Sequence, residues 1–418
     1  MAKTYRDGDN TTYYSTDLVV ALEHVDEVER TLRELGVGFA GIVRSDLLGL
    51  ALVPDIDDES AADKVRTALT AELKALGRPE PAAPWGREQT PPTMDGFLWA
   101  LRQYFATRNA GWTPTLGKNR HVARVVGAGG DLDGKISHGG GSAPRAVATP
   151  EWASEVRPAE PGRGVRVGVL DTSISGQPWL AGGWVAPGAD VLDGDTPYEA
   201  AAGHATFVAG LVLRQAPGAT VVARQVLSDK GVADSWSVAE DIVRLGRTGV
   251  HVLNLSFLCY TEDGRPPMLL ATAIDRLGPD VLVVAAAGNH GDLADQPDAR
   301  RKPAWPAALD HVVAVGSTDQ RGKVSPFTPK DVPWIDVQVP GEDVVSTYLR
   351  GDVEVSKQGT TTTQSFGGFA SWSGTSFAAA SLSGAVAART EPGRVSAHEA
   401  WGQLCPPTRP APFLHLEG

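Results

Sequence analysis

Val165-Arg166-Val167-Gly168-Val169-Leu170-Asp171-Thr172 is the stretch on which the rest of the chain turns. Its apolar run is too short for a buried helix and is rich in valine. It stops at an acid, so it reads as a buried strand carrying a carboxylate at its carboxyl end. Runs of the same kind follow at 220–227, 250–255, 281–286 and 311–315, with helical patterns between them at 236–248 and 268–277. Strands apolar on both faces that alternate with helices predict an α/β domain. Its sheet should be mostly parallel with helices on both faces, over residues 164–404.

Upstream the pattern changes. Residues 17–22 read as a strand, and 24–35 as an amphipathic helix with Val25, Val28, Leu32 and Leu35 on one face and Gly36 at its C-cap. Residues 39–43 and 47–53 form a predicted hairpin about Ser45-Asp46, and 60–76 a second helix ending at Gly77. The order β-α-β-β-α is most of a ferredoxin-like split βαβ, a small N-terminal α+β domain assigned to residues 1–78. Residues 79–163 are read as linker and connecting segment, because 78–93 is proline-rich and 127–142 glycine-rich. Within it, 95–108 has helical spacing of Phe97, Leu98, Leu101 and Phe105, and 121–126 is a candidate for the missing strand. Residues 405–418 are left as a C-terminal tail.

Composition narrows the function. Of the 418 residues, 42% are apolar and 21% charged, the balance of a globular protein. A net charge of −12 argues against nucleic acid or an anionic membrane as partner, since both call for a basic face. The N-terminus lacks the apolar core of a secretory signal, and the two cysteines make no disulfide framework. The expected location is a reducing cytoplasm.

Two further segments join Asp171. Gly203-His204-Ala205-Thr206 sets a histidine in a small-residue turn, and Ser373-Gly374-Thr375-Ser376-Phe377-Ala378-Ala379-Ala380 sets a serine at the start of an alanine-rich helix. A serine hydroxyl needs a base to become nucleophilic, and a histidine needs an acid to hold its tautomer. Ser376, His204 and Asp171 supply those three parts.

These segments resemble the subtilisin-like (S8) serine peptidases over residues 164–404. The resemblance extends to Gly203-His204-Ala205-Thr206-Phe207-Val208-Ala209-Gly210, Asn254-Leu255-Ser256, Ala285-Ala286-Ala287-Gly288-Asn289, Pro340-Gly341 and Gly374-Thr375-Ser376. It implies a serine endopeptidase working through an acyl-enzyme on a peptide or protein substrate. Asp171, His204 and Ser376 would be catalytic, and Asn289 with the Ser376 N–H would form the oxyanion hole. Ser256, Phe257, Leu258, Ala286, Ala287 and Gly288 would bind substrate. No cofactor is required. Calcium is often bound in the family, and the acidic runs near 55–59, 190–195 and 291–292 are the places to look, although none has a full ligand spacing. Many relatives carry a ferredoxin-like propeptide, which makes the N-terminal segment an expected intramolecular inhibitor with the glycine-rich stretch as its tether.

Three positions depart from the family pattern. Phe207 and Ala380 stand where histidine and proline are usual, and both are packing changes. Leu258 stands where glycine is general, on one wall of the pocket for the residue before the cut. Either it narrows that pocket to small side chains, or a local backbone shift turns it elsewhere. The competing functional expectation is a catalytically silent protein that binds peptides or partners.

Overall fold

In the computed structural model the described residues are 4–6, 12–56, 58–83, 93–125, 142–194, 197–261, 263–293, 299–357, 360–405 and 412–416. The expected glycine-rich tether at 127–141 lies outside them. The chain divides into two units, Met1–His121 with Asp234–Glu240 and Pro267–Thr272, and the remainder from Val122 onward.

In the first unit, strand Thr12–Ala21 pairs antiparallel with Leu50–Val53 on one side and with Leu116–Arg124 on the other. Val43–Ser45 pairs antiparallel with the far edge of Leu50–Val53. In chain order this is 4-1-3-2, the complete split βαβ arrangement. Helix Val25–Glu34 ends on Gly36 at φ 66°, with the Val37 N–H reaching the Leu32 carbonyl at 2.9 Å. Helix Asp58–Ala75 ends the same way on Gly77, with Arg78 bonded to Leu73 at 2.9 Å. Only a residue tolerant of positive φ closes such a Schellman turn without strain. Leu18, Val28, Leu32, Val53, Val65 and Leu69 form the core.

The connector read at 79–163 is shorter than expected. Helix Thr93–Arg108 packs on Asp58–Ala75, burying Phe97, Leu98, Leu101 and Phe105, and strand Leu116–Arg124 supplies the fourth strand. The boundary expected at residue 78 therefore moves beyond residue 108. The cause is the second apolar helix, which four stripe residues commit to the same core. The hairpin turn also falls later, at 46–49, because Val43–Ser45 and Leu50–Val53 are the paired segments.

The second unit is organised by a seven-stranded parallel sheet. Its order is Val337–Pro340, Val312–Thr318, Leu282–Ala286, Val252–Leu255, Arg166–Asp171, Thr220–Gln225, Trp184–Val185. Helices His204–Gln215 and Thr375–Ala387 pack on one another and on this sheet. A long antiparallel hairpin, Val344–Lys357 with Thr360–Trp372, was not legible as a pattern and leads directly into the serine helix. Its Ser346 and Thr347 hydroxyls donate to the carbonyls of Phe207 and Thr206 at 2.7 Å each, bracing the histidine helix.

Candidate active site

In an open parallel sheet, functional groups gather beyond the carboxyl ends of the strands. Asp171 is the last residue of the interior strand Arg166–Asp171. Asn289 lies just past Leu282–Ala286, and Ser256 just past Val252–Leu255. His204 opens helix His204–Gln215, and Ser376 is the second residue of helix Thr375–Ala387. Asp171, His204, Asn289 and Ser376 are each no more than 1% exposed.

His204 Nδ1 lies 2.8 Å from both Asp171 carboxylate oxygens. The Thr172 N–H donates to Asp171 Oδ1 at 2.7 Å. A carboxylate accepting at Nδ1 puts the proton there and leaves the Nε2 lone pair as the basic site. That Nε2 is buried and meets no hydrogen-bond partner among the described residues. The ring is held from the sides, by Trp372 edge-on at 5.6 Å and Phe377 at 5.4 Å between centroids. Phe207, the departure noted in the sequence, completes this cage, 4.5 Å from Phe377.

The Ser376 hydroxyl rests against the Ser256 carbonyl at 3.5 Å, at the long limit of a hydrogen bond. Asn289 is oriented by Thr375. Its Oδ1 accepts from the Thr375 N–H at 3.0 Å and from the Thr375 hydroxyl at 3.1 Å, while that hydroxyl accepts from the Gly288 N–H at 3.0 Å. With the oxygen end so committed, Nδ2 faces Gly374, 3.3 Å from where a Cβ there would stand. Beneath the serine, Asn254 Nδ2 donates to Ser256 Oγ at 3.0 Å and Ser383 Oγ donates to Asn254 Oδ1 at 3.0 Å. Thr375 lay inside the quoted motif, but its orienting role was invisible there.

The expected substrate-binding residues sit together. Phe257–Leu258 forms a short strand, and Ala286, Ala287 and Gly288 run off the neighbouring strand Leu282–Ala286. Leu258 is buried and lies near Gly288, its Cδ2 3.1 Å from the position of a Cβ on that glycine. Behind them His290 accepts the Tyr260 hydroxyl at Nδ1, 2.8 Å away, and donates from Nε2 to the Lys302 carbonyl at 3.0 Å. Burial pushes the His290 imidazole down to about 4 and the Tyr260 phenol up.

Residues 122–125 also belong to this unit. They run antiparallel to the short strand, Arg124 opposite Phe257 and Ala123 opposite Leu258. The Val125 N–H donates to the Ser256 carbonyl at 3.3 Å, the same oxygen that Ser376 touches, and the Arg124 N–H donates to the Gly231 carbonyl at 2.8 Å. A peptide is thus held in extended form between two edges beside the serine.

For calcium, the Asp190 carboxylate is taken by Arg224 at 3.2 Å. No group of three or more acidic, histidine or cysteine side chains among the described residues is placed to hold a metal. No helix among them is long and apolar enough to cross a membrane.

Residues 162–398, more than half of the chain, match the Subtilase family (peptidase S8). Subtilisin Savinase of Lederbergia lenta is 34% identical over 208 residues, which are 48% of this chain and 71% of that protein. The alkaline protease of Shouchella clausii matches at the same identity over 50% of its length, so the chain spans about half of some curated relatives. Among solved structures, fervidolysin from Fervidobacterium pennivorans, a keratinolytic enzyme related to subtilisin, shares the fold with a TM-score of 0.54 at 18% identity. That match covers 92% of this chain and 55% of fervidolysin. With the acid, histidine and serine segments all inside the matched region, the chain belongs to the subtilase family of serine peptidases.

Proposed function

We propose that this protein is a serine endopeptidase of restricted specificity that hydrolyses peptide bonds through an acyl-enzyme and is restrained by its own N-terminal segment. The observation that carries the reading is the Asp171–His204 pair with an unpartnered Nε2 beside the Ser376 helix. A buried polar atom without a partner costs stability, and a catalytic role accounts for keeping it. For the reaction the Ser376 hydroxyl must leave the Ser256 carbonyl and donate to that nitrogen. His204 then takes the proton as Oγ attacks the scissile carbonyl, and returns it to the leaving amine. Asp171 stabilises the imidazolium. The negative charge that develops on the carbonyl oxygen is met by Asn289 Nδ2 and by the Ser376 N–H, which has no intrahelical partner by its place in the first turn.

Restraint is supported by residues 122–125. They occupy the edge along which a substrate would lie, and their chain leads back into the N-terminal unit. Both cysteines are buried and neither is in a disulfide among the described residues, which is in keeping with a cytoplasmic setting. Labelling by a fluorophosphonate that is lost in Ser376→Ala tests the nucleophile. Brisk peptide hydrolysis by a chain that stays full length would refute the restraint, and failure of Ser376 to label would favour a silent peptide-binding protein.

A further inference from the structure

The segment at the serine is specific in its side chains as well as its backbone. Arg124 passes over Gly231, where a Cβ would stand 2.4 Å from the Arg124 Cδ, and its guanidinium lies 6.0 Å from the centre of the Trp372 ring. Burial pushes this guanidinium below its usual range, opposed by Tyr348, Asp171 and Glu199. Its Nε has no hydrogen-bond partner among the described residues. The face of Trp372 is therefore one surface on which the guanidinium rests. Next to it, Val125 is 5% exposed and shares one apolar cluster with Leu258 and Tyr260. Leu258 stands beside Gly288, and with Val125 buried in the same apolar cluster a larger side chain at position 125 would overpack it.

From this arrangement, and resting on the reading of 122–125 as a substrate-like strand, we infer that the cleft has a cation-accepting subsite formed by Gly231 and Trp372. It takes an arginine one residue before a small aliphatic residue at the cut, so that the enzyme cleaves on the carboxyl side of Arg-Val sequences and its own chain after Val125. The reaction is hydrolysis. Ser376 Oγ bonds to the Val125 carbonyl carbon, the C–N bond to the next residue breaks with a proton delivered to the amine, and water releases the acyl group.

The test uses the full chain. Intact mass over time should show a fragment ending at Val125. Arg124→Gln should slow its appearance on the order of tenfold, the scale of a lost cation–π contact, while Arg124→Lys keeps most of the rate. Val125→Phe should slow it at least about tenfold, and adding Leu258→Gly to Val125→Phe should restore it. Fluorogenic Val-Ala-Arg-Val and Val-Ala-Gln-Val amides, assayed on the same protein, should show the same preference in kcat/KM, and a chain that never cuts itself while Ser376 labels overturns the assignment of Val125. Cleavage at another bond, or equal rates for the two peptides with Ser376 labelled by a fluorophosphonate, overturns this inference alone. A serine that does not label overturns the proposed function and this inference with it.

Discussion

Two histidines of the second unit, His204 and His290, are equally buried, each 1% exposed, yet they are wired in opposite ways. His290 uses both nitrogens, one accepting from Tyr260 and one donating to Lys302. His204 uses Nδ1 and, among the described residues, leaves Nε2 without a partner. A fully satisfied imidazole is a piece of the wall, and it holds the surface on which Leu258 rests. A half-satisfied one is poised to exchange a proton. Burial alone separates neither from the other; the hydrogen-bond count does.

The largest effect should come from breaking the half-satisfied side. His204→Ala or Ser376→Ala is expected to lower kcat by about 10⁶, a figure whose benchmark is a subtilisin itself. Steady-state hydrolysis measures it, and a loss under a hundredfold would mean that Nε2 is not the base. Next is Asn289→Ala, which should cost about 10²–10³ in kcat, again as known from a subtilisin, with little change in KM. A matching rise in KM would instead assign Asn289 to ground-state binding.

The satisfied side should show itself in stability rather than rate. The folded protein holds His290 neutral down to about 4, whereas an ordinary histidine takes up its proton near 6.5. The stabilisation is therefore complete above about 6.5 and drains away as the pH falls toward about 4. At about 1.4 kcal/mol per tenfold, the full loss is about 3 kcal/mol. Urea unfolding at pH 7.5 and 4.5 should show that drop in the wild type and a flatter profile in His290→Gln. Equal slopes would place the acid sensitivity elsewhere. The smallest effect belongs to the layer under both, where Ser383→Ala removes a donor from Asn254 and should cost about 1–2 kcal/mol in the same assay while leaving Ser376 able to label.

Much of this contrast was legible in the sequence, though unevenly. Asp171 and Ser376 stood out because one ends a strongly patterned strand and the other opens a helix, where local rules act, His204 because it sits in a small-residue turn, and Asn289 through the family resemblance of its segment. The glycine stops at Gly36 and Gly77 were legible for the same reason. The Tyr260–His290 pair was not, because its members are thirty residues apart and neither lies in a motif. The helix Thr93–Arg108 was visible as an element, but its membership in the first unit was not, since a helical stripe says that a face is buried and not against what.

By itself, then, the sequence determined the class of the sheet, the order of acid, histidine and serine, and the presence of a leucine where the family has glycine. Those are properties of periodicity, of residue chemistry and of a pattern read along the chain. The tertiary structure alone decided that Leu258 lies near Gly288, that Trp372 and Phe377 wall in His204, and that Ala123, Arg124 and Val125 lie beside the serine. Such contacts join residues up to about 250 positions apart. They exist only once the entropy of closing those loops is outweighed by the core they complete.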